Sequence, residues 1–312
     1  KQRTLAWDTL FPEGEIVNNK PRPGMHLFTV NSGSHVHLSV SSAEEAVGIT
    51  NVFNGFAGAQ IALMGNSSVW KGKVDSEFQC VAEKFWDWWM LDEARVGLPN
   101  KCITDIEDYG NAIAKLRPFY VVRNEIPILI NDYSTFADYY DCSPAIGKYL
   151  SGEQVDVYPE AKDIKLHNSF YWFTARISRY FTVENRLCDQ QVPGNLACPA
   201  ALSLGLLKAL PEAQEELKQF QWSTLKLMRE AAMREGLDAE VKGIELADMA
   251  KKMLDLAILG LERRGLGEEV YLEPLKQRLI SKQNPAMEAS EIFNQGGIKA
   301  LIEARDILLA SS

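Results

Sequence analysis

Alternating apolar and polar residues predict a strand at residues 34–40. Its apolar side chains fall on every second position, whereas His35, His37 and Ser39 share the opposite face. Another short strand is predicted just before it, beginning near Met25, with a turn at residues 31–33 between the two. The pattern therefore places two imidazoles on the polar face of a half-buried strand.

The same alternation recurs at residues 180–188. Phe181 begins the predicted apolar face, and the polar face carries Glu184 and Arg186. Two other apolar stretches, residues 119–123 and 126–130, flank a two-residue turn and predict a β-hairpin. The first half of the chain is therefore predicted to contain antiparallel strands.

Helical patterns dominate the remainder. Ser42 and Glu45 have the spacing of a capping box and predict a helix that runs to about Met64. Apolar residues recur at helical spacing through residues 196–312, with one helix predicted to end at Gly265. We therefore predict an α+β fold with an antiparallel sheet and a helical C-terminal portion.

One stretch departs from both patterns. Residues 141–168 are polar and contain several prolines and glycines, so they are predicted to form an insertion or connecting arm. The rest of residues 1–312 shows no repeat or low-complexity tract, and we predict a single domain.

Composition removes several classes of function. Acidic residues (42) outnumber Lys and Arg (33), so the surface repels phosphate backbones and no nucleic-acid partner is expected. No apolar run approaches the ~20 residues of a membrane helix. Five cysteines with no C-x-x-C pair argue against a disulfide framework or a thiolate zinc site. No secretory signal is visible, so we predict a cytoplasmic protein; the oligomeric state, including a homo-oligomer, is left open.

The histidine pair is the sharpest local signal. Side chains two residues apart on a strand lie about 6.6 Å apart, at about 3.3 Å per residue. His35 and His37 could therefore both reach a metal ion or a phosphate above the sheet. The alternative interpretation, a solvated strand face, is about equally good for this short pattern on its own.

Glu184 and Arg186 form the second signal. A carboxylate beside a guanidinium suits a site that holds a divalent cation together with the anion that the cation neutralises. The alternative is an exposed ion pair. Since both patterns lie on alternating strands, we expect one polar, concave sheet surface to carry them both. A zinc-dependent hydrolase, with His35, His37 and Glu184 as ligands, is a second hypothesis.

Five segments in order resemble the glutamate–cysteine ligase family of plants and many bacteria. The likeness covers nearly the whole chain. The family's G-x-H-x-H strand corresponds to residues 33–40, and its N-S-P-x-x-x-G loop corresponds to residues 66–72. A Y-V-V-R stretch followed by T-F-x-D corresponds to residues 120–139. The family's E-x-R strand corresponds to residues 180–186, and its C-terminal helices correspond to residues 264–275.

The resemblance implies a glutamine-synthetase-like carboxylate–amine ligase with an antiparallel sheet bowl and flanking helices. Such enzymes use ATP and Mg²⁺ (or Mn²⁺) to form an acyl phosphate from small-molecule amino-acid substrates. Carried over by position, His35 and Glu184 are implied to be metal ligands. His37 is implied to lie beside the nucleotide phosphates, and Arg186 to bind and stabilise the transferred phosphoryl group.

The sequence also departs from the family. The family's N-terminal strands, with an E-x-E pair that binds metal, have no counterpart, although Glu13 and Glu15 have the spacing in a non-strand context. Ala82 and Ala137 stand where the family has substrate-side arginines. We therefore expect a ligase with an altered acyl substrate, the alternatives being the zinc hydrolase and a non-catalytic, nucleotide-binding relative.

Overall fold

The computed structural model describes residues 2–17, 19–24, 31–90 and 94–306. It contains many helices and several small antiparallel sheets, which confirms the predicted α+β class. The strand predicted to begin near Met25 falls on residues 25–30, outside the described residues.

The helices lie mostly in the second half of the chain. In chain order they are α1 (Gln2–Leu10), α2 (Ala43–Gly55), α3 (Ala57–Met64), α4 (Val81–Met90), α5 (Ile106–Ala114), α6 (Phe136–Tyr140), α7 (Ala161–His167), α8 (Cys198–Lys208), α9 (Leu210–Leu217), α10 (Trp222–Glu235), α11 (Leu246–Arg264), α12 (Glu273–Ser281) and α13 (Pro285–Arg305). Short 3₁₀ helices occupy Gly236–Asp238 and Glu268–Leu272.

The strands are short and lie mostly in the first half. They are β1 (Ile16–Val17), β2 (Lys20–Pro21), β3 (Val36–Ser39), β4 (Val69–Trp70), β5 (Lys73–Val74), β6 (Val96–Gly97), β7 (Tyr120–Arg123), β8 (Ile126–Leu129), β9 (Ala145–Lys148), β10 (Gln154–Val157), β11 (Trp172–Phe173), β12 (Ala175–Ile177), β13 (Thr182–Asn185), β14 (Glu240–Val241) and β15 (Ile244–Glu245).

The sheet that positions the site has three antiparallel strands in the order β12-β13-β3. Helix α2 packs against β12 and β13, and α8 packs against β3. On this helix-covered side, the buried Asn185 amide donates to Gln60 Oε1 (2.7 Å) and to Ser203 Oγ (3.0 Å). The other side of the sheet is left for the polar side chains.

The helix predicted from Ser42 to Met64 exists, with a break that the periodicity did not reveal. Ser42 Oγ accepts from the Glu45 amide (3.1 Å), as a helix cap requires. In a capping box the Glu45 carboxylate would accept in return from the Ser42 amide, whereas here it accepts from the Ser41 amide (2.6 Å). At Phe56 the path bends by 56° between α2 and α3. Within the described part of the chain, no single helix is long and apolar enough to cross a membrane.

The C-terminal portion, from α8 onward, is mainly helical, with the small β14–β15 hairpin as an exception. Helices α8 and α11 pack closely at Gly205 and Gly260, where a Cβ on either glycine would collide with the backbone of the other helix. Helix α11 ends at Gly265 in the left-handed conformation (φ 66°), as predicted.

Residues 141–168 form regular structure. Strands β9 and β10 make a hairpin that extends the predicted β7–β8 hairpin into a four-stranded antiparallel sheet, order β10-β9-β8-β7. The buried Asp163 on α7 ties this region together, since it accepts from Arg123 (2.7 Å) and from Tyr139 Oη (2.8 Å).

One face assignment on the second strand is wrong. Phe181 lies in the turn between β12 and β13, with φ 59°, and is exposed. Its amide donates to Ser178 O (3.0 Å), which closes this turn. The strand therefore begins at Thr182, and Val183 is its first buried apolar residue.

Candidate functional site

A row of ionic side chains crosses the three-stranded sheet. The register puts Glu184 directly opposite both His37 on β3 and Arg176 on β12. Directly opposite residues on adjacent strands share one face, so the three side chains meet there. His35 and Arg186 contact the same carboxylate, and we call these five residues the ionic cluster.

Glu184 is the centre of the ionic cluster. Its Oε1 accepts from Arg186 Nη1 (2.8 Å), and its Oε2 accepts from Arg176 Nε (2.7 Å). The carboxylate is buried, with 7% of the side chain exposed. Both oxygens are thus engaged by guanidiniums, and such charge-assisted bonds are the strong ones.

Both imidazoles approach the same oxygen. His35 Nδ1 and His37 Nε2 each lie 3.5 Å from Glu184 Oε1, and the two rings are 39% and 47% exposed. His37 Nδ1 is 3.2 Å from Thr182 Oγ1. The structure therefore brings together His35, His37, Glu184 and Arg186, the four residues that the sequence singled out.

The charges explain the ionisation of this centre. Burial by itself would raise the pKa of Glu184, but the hydrogen bond from His35 and the charges of Arg186 and Arg176 hold that pKa well below its usual range. Burial, followed by the charge of Arg176, lowers the pKa of Arg186, and Glu184 counteracts this effect. Glu184 is therefore ionised at neutral pH and compensates two cations.

Arg176 is a site residue that sequence reasoning missed. Its Nη1 donates to Tyr171 O (2.6 Å), and its guanidinium lies 5.4 Å from the centre of the Tyr171 ring. The signal was present, because Ala175-Arg176-Ile177 alternates like the other two strands. The segment is only three residues long, so it does not stand out without its partner strand.

A divalent cation does not fit the ionic cluster as it stands. Mg²⁺ prefers oxygen ligands, and the cluster offers one carboxylate whose two oxygens are both bonded to arginines. Among residues 2–306, as far as the structure describes them, no group of three or more His, Cys, Asp or Glu side chains could hold a metal ion. The metal-ligand roles of His35 and Glu184 therefore stay predictions, and the zinc-hydrolase alternative gains no support here.

A cavity of about 610 Å³, which we call the site cavity, adjoins the ionic cluster. His35 and Arg186 lie in its wall. Its other lining residues come from α1, the segment before β3, α4, β11 with the residue after it, and the segment after β13: Arg3, Thr4, Trp7, Asn31, Ser32, Gly33, Ala82, Glu83, Trp86, Trp89, Trp172, Phe173, Thr174, Cys188 and Asp189. This volume lies in the range of small-molecule sites.

The loop at residues 66–72 supports the cavity wall. The buried Asp189, just beyond β13, accepts from the Asn66 amide (2.6 Å) and from Ser67 Oγ (2.8 Å). Ser67 Oγ also accepts from the amide of Ala82, in the first turn of α4 (3.0 Å). Burial raises the pKa of Asp189. The loop thus ties the end of β13 to the helix that carries Ala82 and Trp86.

The residues that depart from the family pattern lie in different places. Ala82 lines the site cavity, whereas Ala137 lines a separate cavity of about 340 Å³ with His167. Glu15 Oε2 pairs with Arg22 Nη2 (2.9 Å), beside the short β1–β2 hairpin. Only Ala82, of these three, is positioned to contact a ligand in the site cavity.

Comparison with protein families gives a match over most of the chain. The sequence model of glutamate-cysteine ligase family 2 matches residues 23–304, which is nearly the whole chain and includes all five residues of the ionic cluster. A search of curated proteins gives no match.

Proposed function

The chain belongs to glutamate-cysteine ligase family 2, and from this premise we propose that it is an ATP-dependent carboxylate–amine ligase. The family implies a ligase of the glutamate–cysteine ligase type. The reaction we propose passes the terminal phosphoryl group of ATP to a carboxylate oxygen, with ADP leaving. An amine nitrogen then attacks the acyl carbon, phosphate leaves and the nitrogen loses a proton.

The observation that carries the proposal is the excess of guanidinium over carboxylate in the ionic cluster, beside a cavity of small-molecule size. Arg186 is held by Glu184 and lies with its guanidinium 5.9 Å from the centre of the Trp86 ring. A fixed donor fork of this kind stabilises charge on a transferred phosphoryl group without having to reorganise. In this proposal Arg186 and the exposed His37 bind phosphate oxygens.

Mg²⁺ or Mn²⁺ enters the proposal as a partner of the nucleotide. Magnesium in nucleotide sites is commonly held by substrate phosphates and water together with one or two carboxylates. Because both Glu184 oxygens already accept from arginines, we assign the cation no ligand among the described residues and derive no step through it.

We further propose an altered acyl substrate among small amino-acid-like carboxylic acids. Support comes from Ala82, whose methyl group lines the site cavity at the position where the family resemblance expects a substrate-binding arginine. Without that guanidinium, the wall formed by α4 offers no ion pair to a second carboxylate of the substrate.

The test is a turnover assay on the full chain with ATP, MgCl₂ and a panel of carboxylic acids. Hydroxylamine serves as a general amine, so that product is read as hydroxamate together with ADP. We expect product with at least one acid and a fall in kcat of about 10²-fold or more in Arg186→Lys, which keeps the charge and loses the fork. Arg263→Lys, at an exposed pair with Glu212, is the matched control and is expected to be unchanged.

Two results would replace this proposal. Nucleotide binding without hydroxamate formation for any acid would favour the non-catalytic relative. One tightly bound zinc ion per chain, with hydrolysis in the absence of ATP, would favour the zinc hydrolase.

A further inference from the structure

One wall of the site cavity is aromatic. The indole rings of Trp86 and Trp172 stack with their centres 5.2 Å apart and their planes inclined by 22°. Both side chains are partly exposed, and both line the site cavity. Partly exposed aromatic surface in a concave pocket is typical of sites that bind apolar ligand groups.

Buried aromatic residues fix this wall in place. Trp7 from α1 meets the Trp172 ring edge-on, with the centres 6.0 Å apart. Trp89, one α-helical turn beyond Trp86, also meets Trp172 edge-on, at 6.4 Å. Since Trp7 and Trp89 are almost fully buried, the Trp86–Trp172 stack is backed by a packed cluster and keeps its shape without a ligand.

The charged side chains around the site cavity are unevenly placed, with a guanidinium at the aromatic wall and acidic side chains near Ala82. The Arg186 guanidinium lies next to the aromatic wall. Near Ala82 the cavity is lined by Glu83, which pairs with Arg229 (3.2 Å), and by Asp189, so this part of the wall presents acidic rather than basic side chains to a second carboxylate. Arg3, the other arginine in the lining, hydrogen-bonds to Tyr120.

From these observations we propose that the acyl substrate is a monocarboxylic acid with an aromatic or large apolar side chain. Its carboxylate lies at Arg186 and its side chain lies against the Trp86–Trp172 stack. The inference rests on the proposed ligase function and names the substrate class for it. Trp172 is then a specificity-determining residue.

The test compares L-phenylalanine and 3-phenylpropionate with L-glutamate in the hydroxamate assay, and measures binding of each acid by titration calorimetry. We expect kcat/KM for the aromatic acids to exceed that for glutamate by at least 10-fold, since a phenyl ring buries apolar surface against the stack and a carboxylate side chain does not. Trp172→Leu is expected to lower kcat/KM for the aromatic acids by about 10-fold and to leave the KM for ATP unchanged. Trp172 is chosen because Trp86 also contacts Arg186.

The matched control is Trp88→Leu. Trp88 lies on the same helix as Trp86 but packs against Phe78 (5.7 Å) and is not part of the cavity lining, so this variant is expected to keep the acid preference. Thermal unfolding checks that both variants are folded. A preference for glutamate would overturn the inference, and so would a rise in the KM for ATP in Trp172→Leu, because the nucleotide base would then occupy the wall.

Calorimetry separates this inference from the ligase proposal. If no acid gives product, the ligase proposal fails. Binding of the aromatic acids that is weakened in Trp172→Leu would still support the assigned substrate class. If the aromatic acids do not bind, or if they bind equally well to Trp172→Leu, the assigned substrate class is overturned.

Discussion

Replacing Glu184 by Gln tests whether the carboxylate works as the charge partner of two arginines. The substitution preserves shape but removes the negative charge between Arg176 and Arg186, and an amide can no longer accept from both guanidiniums. The side chains of Glu184, Arg176 and Arg186 are mostly buried, with exposed fractions of 7%, 17% and 11% in that order. Loss of one partner from a buried pair costs about 3–5 kcal/mol, because a buried charge is left uncompensated.

We expect Glu184→Gln to lower the free energy of unfolding by about 3 kcal/mol, the lower end of that range, because partial exposure of Arg176 lets water compensate part of the charge. Urea denaturation at pH 7 measures this change as a lower midpoint with an unchanged slope. The exposed pair of Glu212 with Arg263 (2.6 Å) supplies the control, since Glu212→Gln should change stability little.

The effect should depend on pH in a defined direction. The pKa of Glu184 is held below its unfolded value near 4.5, so its stabilisation is complete above that pH and is lost as the pH falls further. The difference between the wild type and Glu184→Gln should therefore shrink below about pH 4.5. Two results would refute the charge-partner role of Glu184. One is a loss of unfolding free energy under about 1 kcal/mol in Glu184→Gln at pH 7. The other is that MgCl₂ without nucleotide stabilises the wild type but not Glu184→Gln.

Two further predictions concern the scaffold. Burial lowers the pKa of His167 to about 4 from 6.5, so its neutral form stabilises the fold above pH 6.5 and this contribution declines as the pH falls towards 4. Between pH 7 and pH 5 the wild type should lose about 2 kcal/mol more unfolding free energy than His167→Gln, as measured by urea denaturation at both pH values. Equal losses in the two proteins would contradict the lowered pKa of His167. Gly205→Ala should destabilise by about 1–3 kcal/mol, because its Cβ would collide with the Ala257 backbone, whereas Gly110→Ala, whose Cβ enters open space, should be neutral or slightly stabilising. Equal thermal shifts for the two variants would contradict the close packing of α8 and α11.

Strand faces could be predicted from the sequence because a side-chain period of two is visible in a single strand. The sequence alone therefore places His37 and Glu184 correctly on polar faces. The assignment of Phe181 failed because alternation continues across a turn in the sequence, while the chain itself reverses there with a positive φ. The hydrogen bonds from the Ser178 amide to Thr182 O (2.7 Å) and from the Phe181 amide to Ser178 O (3.0 Å) locate the end of the hairpin.

Pairing between distant segments could not be predicted in the same way. Arg176 becomes part of the ionic cluster only because β12 pairs with β13 in the register that sets it opposite Glu184. Likewise, residues 66–72 matched a family loop, but their hydrogen bonds to Asp189 and Ala82 join segments that lie far apart in the sequence. Such contacts depend on register and packing, which local periodicity does not specify.

The pairing also changes what the charges around Glu184 imply. A lone Glu184–Arg186 pair is neutral, and its carboxylate is a plausible ligand for a cation. With Arg176 included, two guanidiniums face one carboxylate, so the ionic cluster has an excess of positive charge whatever the imidazoles contribute. In a protein with a net charge of −9, this local excess of positive charge is the feature on which we base the proposal that the ionic cluster attracts an anion. The phosphate of a nucleotide and the carboxylate of an acyl substrate are both anions that the ionic cluster can attract. The charge balance therefore supports a site whose own residues bind these two groups.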